Sequence, residues 1–585
     1  MEEVSLRVGG EPPTAALHDE PKVLVTQQEP SLAEALQSSV SAIGVEWHEL
    51  QAWAGQKEIL RGLSGEAYPG EVVAILGPSG GGKSTLLSAL SGRFSSKRLV
   101  ATEISYNGGP WRKAFKRRIG FVEQDDTLFG DLTVRQTVRF AALLRGKTTA
   151  QADAVTEAVG LAACADQAIG GANIDRQISG GQRRRVSVAI ELVLDPSLLL
   201  ADESTSGLDA ASASRVFGLL AQMAKMGRTV VASLHQPSDA MFAKFDKLGL
   251  LVDGRCVFFG PASLAASHVS VPVGVPVADY LLLAIGNVDE HLALTKRSSP
   301  PSSDDLVQHA EDLPWTTQAG ILVRRSYLAH RLDIFDRMFL TNISTITLTT
   351  ALLWMRVGAR RPRSSQDVDD VAGLLFFQLV YWGFQCMLVA LFAFPVDINV
   401  LKKERAAGLY KVSAFFVART AVDTVTASLV APALSLVYYF VVGLRPKVYG
   451  GHFAAHLMNG LVAHSSGLCI GAWIHNLKRA AGTQSIFMLC TMLLGGFYVQ
   501  GVPTYLRWLN SFSFTSYAYR AMMKLEFDKS MTYDCDDRRC GLKEHDVFDG
   551  IDFDDPVALD FLALALFVLA LRLLAYLGLR VNTNF

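Results

Sequence analysis

Six apolar segments, near 338–357, 371–394, 421–443, 453–475, 484–503 and 557–579, constrain this chain more than any other feature. Each is about long enough to cross a bilayer core as a helix, and hydrocarbon admits such a segment only if it closes its own backbone hydrogen bonds. Six crossings return the C-terminus to the side on which the series began. A chain of 585 residues is too long for one hydrophobic core, and its charged residues crowd into the first 340 positions and a few later loops. A soluble half and a membrane half are therefore expected. The net charge of −1 offers no electrostatic case for nucleic acid as a partner.

In the soluble half, β-branched and leucine-rich runs at 72–76, 197–202 and 229–235 alternate with helical stretches, the pattern of an α/β domain with a buried parallel sheet. The organisation expected is a polar, disordered leader over 1–40 without a secretory signal, an α/β domain over 41–265 and a Pro/Ser/Asp-rich linker over 266–318. An all-α, six-helix membrane domain then occupies 319–585, with a polar loop at 504–556.

Between a strand and a helix stands Gly77-Pro78-Ser79-Gly80-Gly81-Gly82-Lys83-Ser84-Thr85, a complete P-loop. Its glycines let successive N–H groups curl around phosphates, Lys83 neutralises the β/γ oxygens and Ser84 ligates magnesium. Further on, the apolar strand 198–202 ends in Asp202 and Glu203. Asp202 would hold magnesium through water and Glu203 would act as general base on the attacking water. ATP and Mg2+ are thus the expected ligands.

Between these two motifs lies Ser179-Gly180-Gly181-Gln182-Arg183-Arg184-Arg185, which resembles the signature of ATP-binding cassette proteins. The resemblance implies that Ser179, Gly180, Gly181 and Gln182 bind the γ-phosphate of ATP held on another cassette's P-loop. Gln124 matches the family's Q-loop glutamine, also a magnesium ligand, Ser206 to Asp209 its D-loop and His235 its switch histidine. A single cassette of this kind requires a second half, either another copy or a different chain. Ser204 stands where Pro is usual, which would loosen the loop after the base. Trp53, or failing it Trp47, is the candidate to stack on adenine.

Cassette first and membrane domain second is the order of the family's G subfamily, the White/brown-complex half transporters, and the likeness spans roughly 42–580. It implies coupling of the two halves by 404–423, with Glu404, Arg405, Arg324 and Arg325 as relay residues. The segment 408–419 also reads as an amphipathic helix lying on lipid headgroups. A substrate path implied along the two-fold axis would be lined by Tyr381, Phe384 and Gln385, with Phe497 as a plug above it. His464 and Asp423 stand out as ionisable residues within the spans. Their scarcity favours an apolar or amphipathic substrate such as a lipid, sterol or xenobiotic.

The expected activity is ATP-driven export across a membrane, the plasma membrane by default, with the cassette cytosolic and membrane lipids as surroundings. The alternative is an ATP-gated regulatory subunit without pumping, against which the intact Lys83, Glu203 and His235 speak. Oxidising conditions beyond the membrane would favour a disulfide between Cys535 and Cys540, within the loop or between two chains. The sequon at Asn342 falls within the first span and is unusable there.

Overall fold

The computed structural model describes residues 42–93, 99–100, 104–170, 177–267, 277–284, 313–334, 337–359, 363–499, 503–535, 538–548 and 551–583. The expected leader and most of the expected linker lie outside these. Two strands open the soluble half: β1 (Val45–Ala54) and β2 (Lys57–Ala67) pair antiparallel. The main sheet follows, built from β3 (Val72–Leu76), β4 (Ile119–Val122), β5 (Leu198–Asp202), β6 (Thr229–Ser233), β7 (Lys247–Val252) and β8 (Arg255–Pro261) in the order β8-β7-β3-β6-β5-β4. All neighbours are parallel except β8, which closes one edge antiparallel.

Every residue of β3, β5 and β6 is buried, which explains their unbroken apolar runs: helices cover both faces of the sheet. Among these helices are α1 (Lys83–Leu90), α2 (Val134–Leu144), α3 (Gly180–Leu194) and α4 (Ala210–Lys225). Parallel strands bring their C-terminal ends to one edge, where sheets of this type bind ligands. Here the ends of β3, β6, β5 and β4 stand side by side. Part of the expected linker belongs to this unit too: Val277–Ala284 is helical, and its Ala278 and Leu281 enter the same apolar core.

The second half begins with α5 at Trp315–Ile334, followed by α6 (Arg337–Leu353), α7 (Ser365–Ala406), α8 (Val412–Val442), α9 (Tyr449–Trp473), α10 (Leu477–Leu493), α11 (Phe514–Glu526) and α12 (Val557–Asn582). Helices α6 to α10 and α12 overlap the six apolar segments. Among the described residues, α7 and α12 are long and apolar enough by themselves to cross a membrane.

Three boundaries differ from the sequence expectation. The second segment is embedded in a 42-residue helix, because Ser364 caps its start in reciprocal bonds with Asp367 and the helix runs on through Pro395 to end just ahead of Gly408, whose φ is 66°. Residues 412–419 are the first turns of α8 rather than a separate interfacial helix. The fifth segment stops being helical at Leu493, ahead of Gly495 and Gly496, the latter with φ 93°. Nor is 504–556 only a solvated loop: Phe514, Ala518, Ala521 and Met522 recur at helical spacing and bury one face of α11. Beyond α11, Thr532–Cys535 and Arg538–Gly541 form a hairpin that pairs with Arg363–Ser364 at the head of α7. Cys540 is disulfide-bonded; the side chain of Cys535 lies outside those described.

α7 packs most intimately on α9. A Cβ on Gly467 would sit 2.3 Å from the Met387 carbonyl, and one on Gly471 would sit 2.6 Å from the Leu391 carbonyl. The Gly467-x-x-x-Gly471 spacing lets two helix backbones touch, as small-residue stripes do in membranes. Pro395 has no N–H to offer the Leu391 carbonyl, and the α9 backbone covers that carbonyl instead. Gly471→Val is therefore expected to cost about 1–3 kcal/mol through overpacking. Thermal unfolding of the detergent-purified protein measures it, and an unchanged transition would refute this packing.

Candidate active site

The loop between β3 and α1 is shaped by positions that admit no side chain. Gly82 has φ 99°, and a Cβ there would meet Leu60 Cδ2 at 2.7 Å; one on Gly77 would meet the Leu251 carbonyl at 2.1 Å. The loop thus lies against β2 and β7 with its N–H groups leading into the N-terminus of α1, a ready anion cradle. Lys83, only 4% exposed, bends back so that Nζ donates to the Gly77 (2.9 Å) and Pro78 (3.0 Å) carbonyls. Ser84 and Thr85 follow it on the first turn of α1.

Residues far apart in sequence converge on this loop from neighbouring strand ends. Glu203, just past β5, lies 4.0 Å from the Lys83 ammonium and accepts a hydrogen bond from Gln124 Nε2 at 3.0 Å, just past β4. His235, just past β6, stands 3.4 Å from Ser79 Oγ. Ser233, the register partner of Asp202, donates from Oγ to Asp202 Oδ1 at 2.6 Å and accepts from the Glu203 N–H at 2.9 Å. The sequence reading passed over Ser233, because a serine at a strand end carries no signal until its register is known. Glu203 itself has φ 46°. A non-glycine residue there costs about 1–2 kcal/mol, so its bonds on both sides hold a strained backbone in place.

The arrangement sets a carboxylate, a cation, an amide and an imidazole around one phosphate-sized cradle. Ser204, where Pro is usual, is wholly buried. Ser179, Gly180 and Gly181 do not join the cluster: Ser179 and Gly180 are exposed to solvent and Gly181 is half-buried, and Ser179 caps α3 in a reciprocal box with Gln182. Asp209 caps α4 by accepting from the Ser212 N–H at 2.9 Å, which holds its carboxyl below the usual range. Trp47 is 1% exposed and packs edge-on against Phe259, so it cannot stack on a base. Register shifts along β1 between Trp47 and Trp53 break the alternation that would otherwise put both on one face, so Trp47 alone is turned inward. Trp53 is half-buried and pairs with Glu58, one residue before Ile59, which borders Gly82.

From Gln124 the chain runs five residues to Phe129, which sequence reasoning also passed over. The Arg325 guanidinium of α5 lies 5.1 Å over its ring. Arg325 is buried and forks onto Glu404 at the end of α7, with Nη1–Oε1 at 2.5 Å and Nη2–Oε2 at 2.9 Å, and Tyr410 donates to the same carboxylate. Burial alone would lower the Arg325 pKa, but Glu404 overrides it and raises it. Arg324 is exposed, and Arg405 instead reaches Thr583 and the Arg580 carbonyl at the end of α12. Of the four expected relay residues, Arg325 and Glu404 are the pair in contact.

Within the membrane half, Phe384 is 37% exposed on the same face of α7 as Phe377 and Tyr381, whose rings stack at 6.1 Å. Gln385 Nε2 donates to Tyr381 Oη at 3.4 Å. Phe497 stacks on Phe376 at 5.1 Å, so it sits beside the N-terminal half of α7. His464 and Asp423 are not the only ionisable groups in the spans: His456, Asp560 and Arg572 lie there as well. Asp423 pairs with Arg419 at 3.3 Å, and His464 is fully buried.

Comparison with known proteins matches residues 60–206 to the family model described as ABC transporter, and residues 317–527 to ABC-2 type transporter. ABC transporter G family member 22 of Arabidopsis thaliana is 35% identical over 90% of this chain and 76% of its own length. G family member 21 of the same plant is 32% identical over 90% and 87%, respectively. Protein white of Drosophila melanogaster is 27% identical over 91% of this chain and 84% of its own.

Proposed function

Because this chain belongs to the G family of ABC transporters, an integral multi-pass half transporter with an ATPase domain, we propose that it exports an apolar or amphipathic molecule, a lipid, sterol or xenobiotic. The observation that carries the proposal is the contact of Lys83, Gln124 and Glu203 at one strand-end cradle while Ser179 and Gly180 face outward. Half transporters of this family work as dimers, and an exposed signature beside a complete cradle suits two cassettes meeting face to face.

In this reading the P-loop N–H groups and Lys83 bind the phosphates, and the Trp53 ring stacks on adenine. Ser84, Gln124 and Asp202 supply the hard oxygen donors that suit Mg2+, which when bound neutralises phosphate charge. Glu203 takes the proton of the attacking water, Gln124 steadies its carboxylate, and His235 senses the γ-phosphate from Ser79's side of the loop. Ser179, Gly180, Gly181 and Gln182 reach the nucleotide of the second half. Closure of the cassettes travels through Phe129 and Arg325 to Glu404 and α7. The exposed aromatic face of α7, with Phe384, contacts the substrate, and Phe497 plugs the path above it. The cassette faces the cytosol, in the plasma membrane, and the disulfide of Cys540 is made with Cys535 on the far side.

Transport into inside-out vesicles tests this directly, with labelled phospholipid, sterol and a hydrophobic dye as probes and ATP against ADP as fuel. Hydrolysis without accumulation of any of the three would refute export. Co-purification of two differently tagged copies decides between self-association and a different second chain. Trp53→Ala is expected to raise KM for ATP roughly tenfold, the scale of a lost base–aromatic stack, with kcat unchanged; an unchanged KM removes Trp53 from the site.

A further inference from the structure

Three arginines follow the signature, and they do different things. Arg183 reaches the Ile169 carbonyl at 3.5 Å and Arg185 the Gly160 carbonyl at 3.0 Å, both on the outer side of α3. Arg184 is 4% exposed and turns toward the sheet. Its Nη1 donates to the carbonyls of Glu123 (2.5 Å) and Gln124 (3.0 Å) and to Asp126 Oδ1 (3.2 Å). Its Nη2 donates to the carbonyls of Asp202 (2.7 Å) and Glu203 (2.9 Å). One rigid, planar fork thus joins the end of β4 to the end of β5.

The Glu203 carbonyl is one of the groups it grips, and Glu203 is the residue whose backbone lies in the left-handed region. The same guanidinium holds Gln124, whose side chain bonds the Glu203 carboxylate. Arg184 also stands five residues past Ser179 on the helix that Ser179 caps. We infer that Arg184 is a positioning residue that fixes Glu203 and Gln124 relative to each other and makes their placement depend on the orientation of α3. A signature that engages the second half's nucleotide would then act, through this fork, on the hydrolytic residues of its own cassette. The inference rests on Glu203 as the general base.

The test uses purified full-length protein and steady-state ATP turnover. Arg184→Gln is expected to lower kcat roughly 10–100-fold, the penalty of a misplaced reacting group, with KM for ATP changed by less than about twofold. Arg184→Lys, which keeps the charge but cannot span both strand ends, should fall between Arg184→Gln and wild type. In a Glu203→Gln background, Arg184→Gln should lower the residual turnover by less than about twofold, since the group it positions is gone. Equal fold losses in both backgrounds, or a raised KM with kcat intact, overturn the inference. Should Arg184→Gln not fold, a folded Arg184→Lys with wild-type kcat overturns it as well. Glu203→Gln at wild-type turnover refutes the base assignment, whereas an inactive Glu203→Gln beside a fully active Arg184→Gln refutes this inference alone.

Discussion

Replacing Glu203 by Gln is expected to lower ATP turnover by about 10²–10⁴-fold, the usual worth of a positioned general base, while ATP binding changes little. The substitution keeps the size of the side chain and its capacity to accept from Gln124 Nε2, now 3.0 Å away. What it removes is basicity. Lys83 keeps its two P-loop carbonyl bonds, which involve no atom of Glu203, so the cradle survives. Phosphate release measured beside binding of a fluorescent ATP analogue separates the two effects. Turnover that persists within tenfold of wild type would mean that another group activates the water.

Glu404→Ala is the second large effect. It leaves the Arg325 guanidinium buried between Phe129 and Tyr410 without the carboxylate it forks onto, and removing one member of a buried pair costs about 3–5 kcal/mol. The cassette then loses the fork through which α5 grips the end of α7. Transport should fall to background while the ATP turnover of the surviving folded fraction remains within a few-fold of wild type. Arg325→Met combined with Glu404→Ala removes the unpaired charge, so it should recover thermal stability without recovering transport. If the double variant transports, the ion pair is a strut and not a link.

How much of this was legible beforehand follows from what each feature depends on. The P-loop is a contiguous need for glycines and one lysine, and the strand ending in Asp202 and Glu203 is a contiguous apolar run, so both can be read from the chain. The G-family likeness likewise extends over nearly the whole sequence. Arg184 could not be picked out from Arg183 and Arg185, because its partners are four backbone carbonyls and the Asp126 carboxylate, 58 to 61 positions before it or 18 and 19 after it, apparent only once the strand ends are adjacent. Trp47 and Trp53 look alike in sequence, and only the facing of β1 tells which one is core. The length of α7 escaped notice because hydropathy marks the part suited to lipid and is blind to polar turns that continue the same helix. Phe129 and Arg325, more than 190 positions apart, meet only across the boundary between the two halves.

That long helix has a further meaning. Rising about 1.5 Å per residue, its 42 residues reach about 63 Å, from the hairpin at its head to the Glu404 fork at its other end. The fork with Arg325 sits at its C-terminal tip, the hairpin at its head, and the exposed aromatic face lies between them. On the proposed function, cargo preference would drift by exchanging side chains midway along a shaft whose two ends stay the same, so one engine would serve many freights.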